Sequence, residues 1–103
     1  MKVSIENKHL LELYTTGASR KYRVPDNVAV EFVAAVRELQ SAVTIHDIWR
    51  QHPKRKFERL KGHANRYSMR LNKQYRLELS VVWSNTEKTT GEFTVEDLSN
   101  HYD

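Results

Sequence analysis

The 103-residue sequence predicts an α+β domain in which two N-terminal helices pack on an antiparallel β-sheet. Apolar residues recur every three or four positions through the first half of the chain and every second position after Pro53. Glycine (3) and proline (2) are scarce, which calls for regular elements joined by tight turns. The length leaves room for one hydrophobic core, so residues 1–103 are read as a single domain whose functional site lies on its surface.

Asn7 is placed to cap a first helix carrying Leu10, Leu11 and Tyr14 at helical spacing, with Gly17 as its stop. Pro25 and Asp26 signal the start of a second, longer helix. Val28, Phe32, Val36 (with Ala35), Leu39 and Val43 give it an apolar stripe about four turns long. The two helices are expected to form an antiparallel pair. Thr44 to Gln51 add one further helical turn that Pro53 ends. The period then changes to two. Phe57 and Leu60 mark a short strand closed by Gly62, residues 66–71 alternate strictly, and Tyr75, Leu77, Leu79, Val81 and Trp83 continue the alternation. Residues 91–98, with Phe93 and Val95, supply a last strand, so the helices precede an antiparallel meander and cover one of its faces.

Composition narrows the function. Hydrophobic residues make up 39% and charged residues 29%, which suits a compact globule. With no cysteine there is no disulfide framework, thiolate nucleophile or cysteine zinc site, and a reducing cytosol fits best. Met1 to Leu13 contain no signal-peptide apolar core and no 18-residue apolar run exists, so a cytoplasmic protein without a membrane partner is expected. The histidines, at 9, 46, 52, 63 and 101, are scattered, and no metal or cofactor is expected.

The net charge of +4 is unevenly spread. Arg50 to Arg76 hold ten basic side chains and one acid, Glu58, for +9, while the remainder sums to −5. Such a field concentrates polyanions: RNA, DNA, an acidic protein segment or a membrane surface. A run of solvated cations is the plain alternative. The hairpin around Asn72 separates these. A two-residue loop, Asn72-Lys73, would mix charged and apolar side chains on both faces. A three-residue loop, Asn72-Lys73-Gln74, pairs Leu71 with Tyr75, Met69 with Leu77 and Tyr67 with Leu79, leaving one uniformly apolar face. On the other face Arg70 then opposes Arg76, and Ser68 opposes Glu78. Opposed like charges cost a few tenths to about 1 kcal/mol unless an anion sits between them. Two adjacent guanidiniums form a forked donor set suited to a phosphate; neutralisation by Glu78 is the competing reading.

Leu60-Lys61-Gly62, followed after a short gap by residues 67–76 (Tyr-Ser-Met-Arg-Leu-Asn-Lys-Gln-Tyr-Arg), resembles the HigB branch of the RelE/ParE toxin superfamily of bacterial toxin–antitoxin systems. Leu13-Tyr14-Thr15-Thr16-Gly17 and a chain end soon after the last strand agree with it. The resemblance implies a microbial-RNase-like fold and a ribosome-dependent endoribonuclease acting on translated mRNA, held inactive by a cognate antitoxin, HigA-like with a DNA-binding helix-turn-helix. It also implies that Lys61, Arg70 and Arg76 contact RNA phosphates and that chain-end residues complete the site. Two departures stand out. Asn100-His101-Tyr102 replaces the commoner Asp-Tyr-His, and Glu58 stands where some members carry histidine.

RNA carries its own nucleophile, the 2′-hydroxyl, so cleavage needs a base, an acid and charge neutralisation rather than a metal. Arg70 and Arg76, assisted by Lys61, would bind the nonbridging oxygens as charge builds on them. Glu58 is one candidate base and His101 the other, since an imidazole suits proton transfer at neutral pH. Tyr102 would orient or protonate the leaving 5′-oxygen, or stack on a base. Lys54, Lys56, Arg59, Arg66 and Lys73 are read as RNA-binding. Each has a duller counterpart: Glu58 as an ion-pair partner of Arg59 or Arg55, Tyr67 and Tyr75 as core, Trp49 and Trp83 as core or interface anchors. Two other function classes remain open, a ParE-like gyrase inhibitor without nuclease activity and a non-catalytic adaptor for RNA or an acidic protein.

Overall fold

The computed structural model describes residues 1–100, and the folding logic begins at Asn7. Its side-chain oxygen accepts from the backbone N–H groups of His9 (2.9 Å) and Leu10 (3.2 Å), two of the donors that a helix start leaves unpaired. Helix α1 (Lys8–Thr16) follows and stops at Gly17, whose φ of 82° is left-handed backbone that glycine adopts without a Cβ clash. Helix α2 (Asp26–Ser41) buries Val28, Ala29, Phe32, Ala35, Val36 and Leu39. Val43, expected to extend this stripe, is 75% exposed. The helix ends at Ser41, Ala42 turns extended and is itself buried, and the i, i+4 spacing no longer aims residue 43 inward.

Where one further helical turn was expected there is a separate helix, α3 (Ile45–Gln51). Asp47 makes its start: one carboxylate oxygen accepts from the backbone N–H of Val43 (2.9 Å) and Thr44 (3.1 Å), and the other takes an N–H of Arg50 (2.6 Å). Those backbone bonds, then Arg50, hold the Asp47 carboxyl below its ordinary pKa. A single 3₁₀ turn, Pro53–Arg55, leads into the strands.

Strands β2 (Glu58–Arg59), β3 (Arg66–Arg70), β4 (Tyr75–Trp83) and β5 (Gly91–Asn100) form an antiparallel meander. Strand β1 (Val3–Ser4) pairs with β5 in parallel, so the sheet is five-stranded and mixed, in the order β1-β5-β4-β3-β2. Three helices on a mixed sheet thus replace the expected two on an antiparallel one. A two-residue strand has no period to detect; its pairing identifies it, the Phe93 N–H donating to the Lys2 carbonyl at 2.9 Å. Gly91 begins β5 because a Cβ there would lie 2.7 Å from the carbonyl oxygen of Val82.

One sheet face, with Met69, Leu77, Leu79, Val81, Phe93, Val95 and Leu98, packs on the helices in a single core. Full burial of side chains of this size contributes about 1.5–3 kcal/mol each. Phe57 and Tyr67 stack at 4.9 Å and Trp83 meets the Tyr67 ring edge-on, which puts Tyr67 against the core as expected. Trp49 instead is 45% exposed, tied by its indole N–H to the Phe57 carbonyl at 2.7 Å. Among the described residues no helix is long and apolar enough to cross a membrane.

Candidate nucleic-acid interface

The face of the sheet away from the helices carries the polar side chains. The β3–β4 hairpin has the three-residue-loop register: Tyr67 pairs with Leu79, Ser68 with Glu78, Met69 with Leu77 and Arg70 with Arg76. Asn72 makes the loop hold, its side-chain oxygen accepting from the backbone N–H of Gln74 and of Tyr75, each at 2.8 Å. The Asn72 carbonyl then accepts from Arg70 Nε and from Arg76 Nη1, each at 3.2 Å. Two guanidiniums sharing one acceptor are close neighbours. Their convergence on a backbone dipole offsets part of the like-charge cost of the pair. A guanidinium has five N–H donors, and this bond uses one of them.

Glu78 does not neutralise the pair in the manner considered above. Its ion-pair partner is Arg66, loosely, at 3.7 Å, and Arg70 makes no ion pair among the described residues. Arg66 Nε is buried without a hydrogen-bond partner among the described residues. A buried unpaired donor costs about 1–3 kcal/mol.

Glu58 shares this face. It pairs with Ser68, two residues along β3 from Arg70, is exposed, and makes no ion pair among the described residues. Its expected alternative partners are elsewhere. Arg59 pairs with Tyr67, so strand alternation turns it to the helix side of the sheet, away from the arginine pair. Arg55 is bound to two glutamates of α2. Lys61, expected on the strand beside β3, lies exposed in the turn after β2, beyond the Arg66 end. Arg70 is four positions along β3 from Arg66, roughly 13 Å along a strand, so Lys61 sits at the far end of the strip from the pair. His101 and Tyr102 lie outside the described residues. The described end of β5 runs beside the pair, with Ser99 opposite Arg76 and Asn100 opposite Tyr75.

Lys54, Lys56 and Lys73 gather around a second feature. A cleft of about 370 Å³ lies between the 3₁₀ turn and the β3–β4 hairpin, with these three lysines and Arg70 on its walls. Its support is Arg55, expected from the sequence only as a candidate partner of Glu58 and paired instead with Glu31 and Glu38. Arg55 is 1% exposed. It donates to both carboxylate oxygens of Glu38 (2.8 and 2.9 Å), to Glu31 (3.1 Å) and to the carbonyl of Arg70 (3.3 Å). Burial works to raise the Glu38 carboxyl, but the Arg55 hydrogen bonds and charge, with His52 and Lys54 behind them, outweigh it and hold its pKa below the ordinary value. The hydrogen bonds to Glu38 raise the Arg55 pKa in return. The signal for this anchor was present: Glu31 and Glu38 are seven residues apart on α2, two turns along one face.

No group of three or more histidine, cysteine or acidic residues able to hold a metal occurs among the described residues. The fold is thus a helical layer on a five-stranded mixed sheet, with an arginine pair on the face away from the helices and a basic cleft between the 3₁₀ turn and the β3–β4 hairpin. No protein-family model matches the sequence, and the search of curated proteins gives no match. Among solved structures the chain is similar to one described as "YoeB/ParE toxin from Agrobacterium tumefaciens", with 17% sequence identity, a TM-score of 0.52, and coverage of 99% of this chain and 100% of that one. The likeness is one of fold, and it agrees in outline with the architecture that the HigB-like motif implies.

Proposed function

We propose that this protein is the toxin of a type II toxin–antitoxin pair, HigB-like within the RelE/ParE superfamily, and that it acts as a ribosome-dependent endoribonuclease on translated mRNA. The observation that carries the reading is the placement of Arg70 and Arg76 opposite one another on the open sheet face, both directed to the Asn72 carbonyl. In this reading the guanidiniums bind the nonbridging oxygens of the scissile phosphate as negative charge develops. Each preorganised donor is worth about 3–4 kcal/mol of barrier. Glu58, exposed and on the same face, takes the 2′-hydroxyl proton, or His101 does so. Tyr102 serves the leaving 5′-oxygen. Lys61, distant from the arginine pair, acts on RNA phosphates further along the strip. The inhibiting partner is a HigA-like, DNA-binding antitoxin, and the site of action is the cytoplasm.

The test is a purified translation reaction. The protein is expected to cut message on translating ribosomes, leaving a 2′,3′-cyclic or 3′-phosphate and a 5′-hydroxyl. Arg70→Ala is expected to lose 100-fold or more in rate while keeping its fold, a loss of about 2.7 kcal/mol or more in barrier. Undiminished cleavage by the variant would overturn the reading. Inhibition of DNA gyrase by both proteins, with no RNA cut by either, would establish a ParE-like poison instead. Naked RNA is a poor substrate for such a shallow site, which relies on the ribosome to position the chain.

A further inference from the structure

We infer that the cleft beside the arginine pair is a second phosphate subsite, which seats the phosphodiester and ribose of a nucleotide flanking the one that is cut. The inference rests on the ribonuclease reading and adds to it the place where the neighbouring stretch of RNA lies. Four observations converge. The cleft's volume, about 370 Å³, is at the small end of ligand sites and suits a sugar phosphate rather than a large cofactor. Its walls present Lys54, Lys56, Lys73 and Arg70, none of them in an ion pair among the described residues. The acid on its wall, Glu31, is committed to Arg55 at 3.1 Å. Arg70 belongs to both features at once, lining the cleft while its Nε meets Arg76 at the Asn72 carbonyl, so the cleft and the arginine pair adjoin at this residue.

The local backbone is built for this presentation. Lys56 has φ 45° and ψ 52°, left-handed backbone that costs a residue with a Cβ roughly 1 kcal/mol or more. That kink buries Arg55 while leaving Lys54 and Lys56 in solvent on either side of it. Arg55 then fastens the turn to α2 through Glu38 and Glu31 and to β3 through the Arg70 carbonyl. The wall lysines therefore stand on a fixed support, and seating a phosphate requires ordering of side chains alone.

The experiment titrates the full-length protein, labelled with ¹⁵N, with a single-stranded 2′-O-methyl octaribonucleotide, which lacks the nucleophile and cannot be cut, and separately with inorganic phosphate. The oligonucleotide is expected to shift the amides of Lys56, Asn72 and Lys73 together with those of Arg70 and Arg76. Lys54→Ala combined with Lys56→Ala is expected to lower the slope of log affinity against log salt by about 1.4, the share of two phosphate contacts on a single strand. Lys2→Ala with Lys8→Ala removes the same charge next to β1 and at the start of α1, and is expected to leave the slope unchanged. Shifts confined to Arg70 and Arg76, or equal slopes for the two double variants, would overturn the subsite. So would inorganic phosphate binding as tightly as the oligonucleotide, which would make the cleft a bare anion site. The ribonuclease reading is judged separately. A protein that cuts message on ribosomes without cleft shifts keeps its function and loses the subsite; one that shows the cleft shifts and cuts nothing keeps the RNA-binding cleft and loses the nuclease.

Discussion

Replacing Arg55 by methionine removes the one charged side chain that is fully buried among the described residues. The substitution keeps an unbranched apolar stem as far as the position of Nε but deletes two hydrogen bonds to Glu38, one to Glu31 and one to the Arg70 carbonyl. Removing one partner of a buried pair typically costs 3–5 kcal/mol, because the other charge is left uncompensated. Glu38 and Glu31 retain 16% and 34% side-chain exposure, so water reaches both acids and the lower end, about 3 kcal/mol, applies. For a domain of this size that is a fall in Tm of roughly 12–24 °C. Thermal and urea melts followed by circular dichroism measure it. Glu38→Gln in the Arg55→Met background is expected to recover a measurable part, as coupled neighbours do. The pH dependence carries a second signature. Glu38 has a folded pKa below its unfolded one, so its contribution is present above the ordinary carboxylate pKa and fades as the pH falls through the lowered folded value. Glu38→Gln should flatten that acid limb. A loss below about 1 kcal/mol for Arg55→Met, or strict additivity of the two substitutions, would refute the argument that Arg55 anchors the 3₁₀ turn.

Three other predictions follow from the packing. Burial, then the hydrogen bond and charge of Asp97, raise the Tyr22 phenol above its ordinary 10.0, so its contribution is intact below that value and is lost as the pH rises through the folded pKa; alkaline melts should show a steeper decline for the native protein than for Tyr22→Phe. Leu39→Ala should cost about 2–5 kcal/mol in urea unfolding and Val43→Ala no more than about 0.5, whereas equal losses would contradict the end of α2 at Ser41. Asn7→Ala should destabilise by about 1 kcal/mol through loss of the α1 cap, and an unchanged urea midpoint would show that the cap contributes nothing.

The meander and the hairpin register were legible because alternation on one buried face leaves a single pairing that keeps charges off the core. A shift of one residue would have driven Arg70 and Arg76 inward. β1 was not legible, since two residues carry no period and its pairing with β5 is a long-range contact. The independence of α3 was hidden because its start depends on Asp47 reaching back to two backbone amides, a local bond with little hydrophobic signal. At the site, Arg70, Arg76 and Glu58 were found by face and charge. Arg59 was grouped with them by its place in the basic run, and Lys61 by the resemblance of Leu60-Lys61-Gly62 and an expected place on the neighbouring strand. The register turns Arg59 to the other face, and β2 ends before Lys61. Arg55 looked like one more cation in a basic run; its burial depends on acids seventeen and twenty-four residues away.

The most direct measurement sequences the 5′ ends of transcripts after brief expression in a bacterium of the native protein and, in parallel, of Arg76→Ala. The native protein is expected to create abundant new 5′-hydroxyl ends inside translated coding regions, and the variant to create few while accumulating to the same level. New ends of equal abundance from both proteins, or growth arrest by the native protein without any such ends, would contradict the claim that this arginine pair grips the bond being cut.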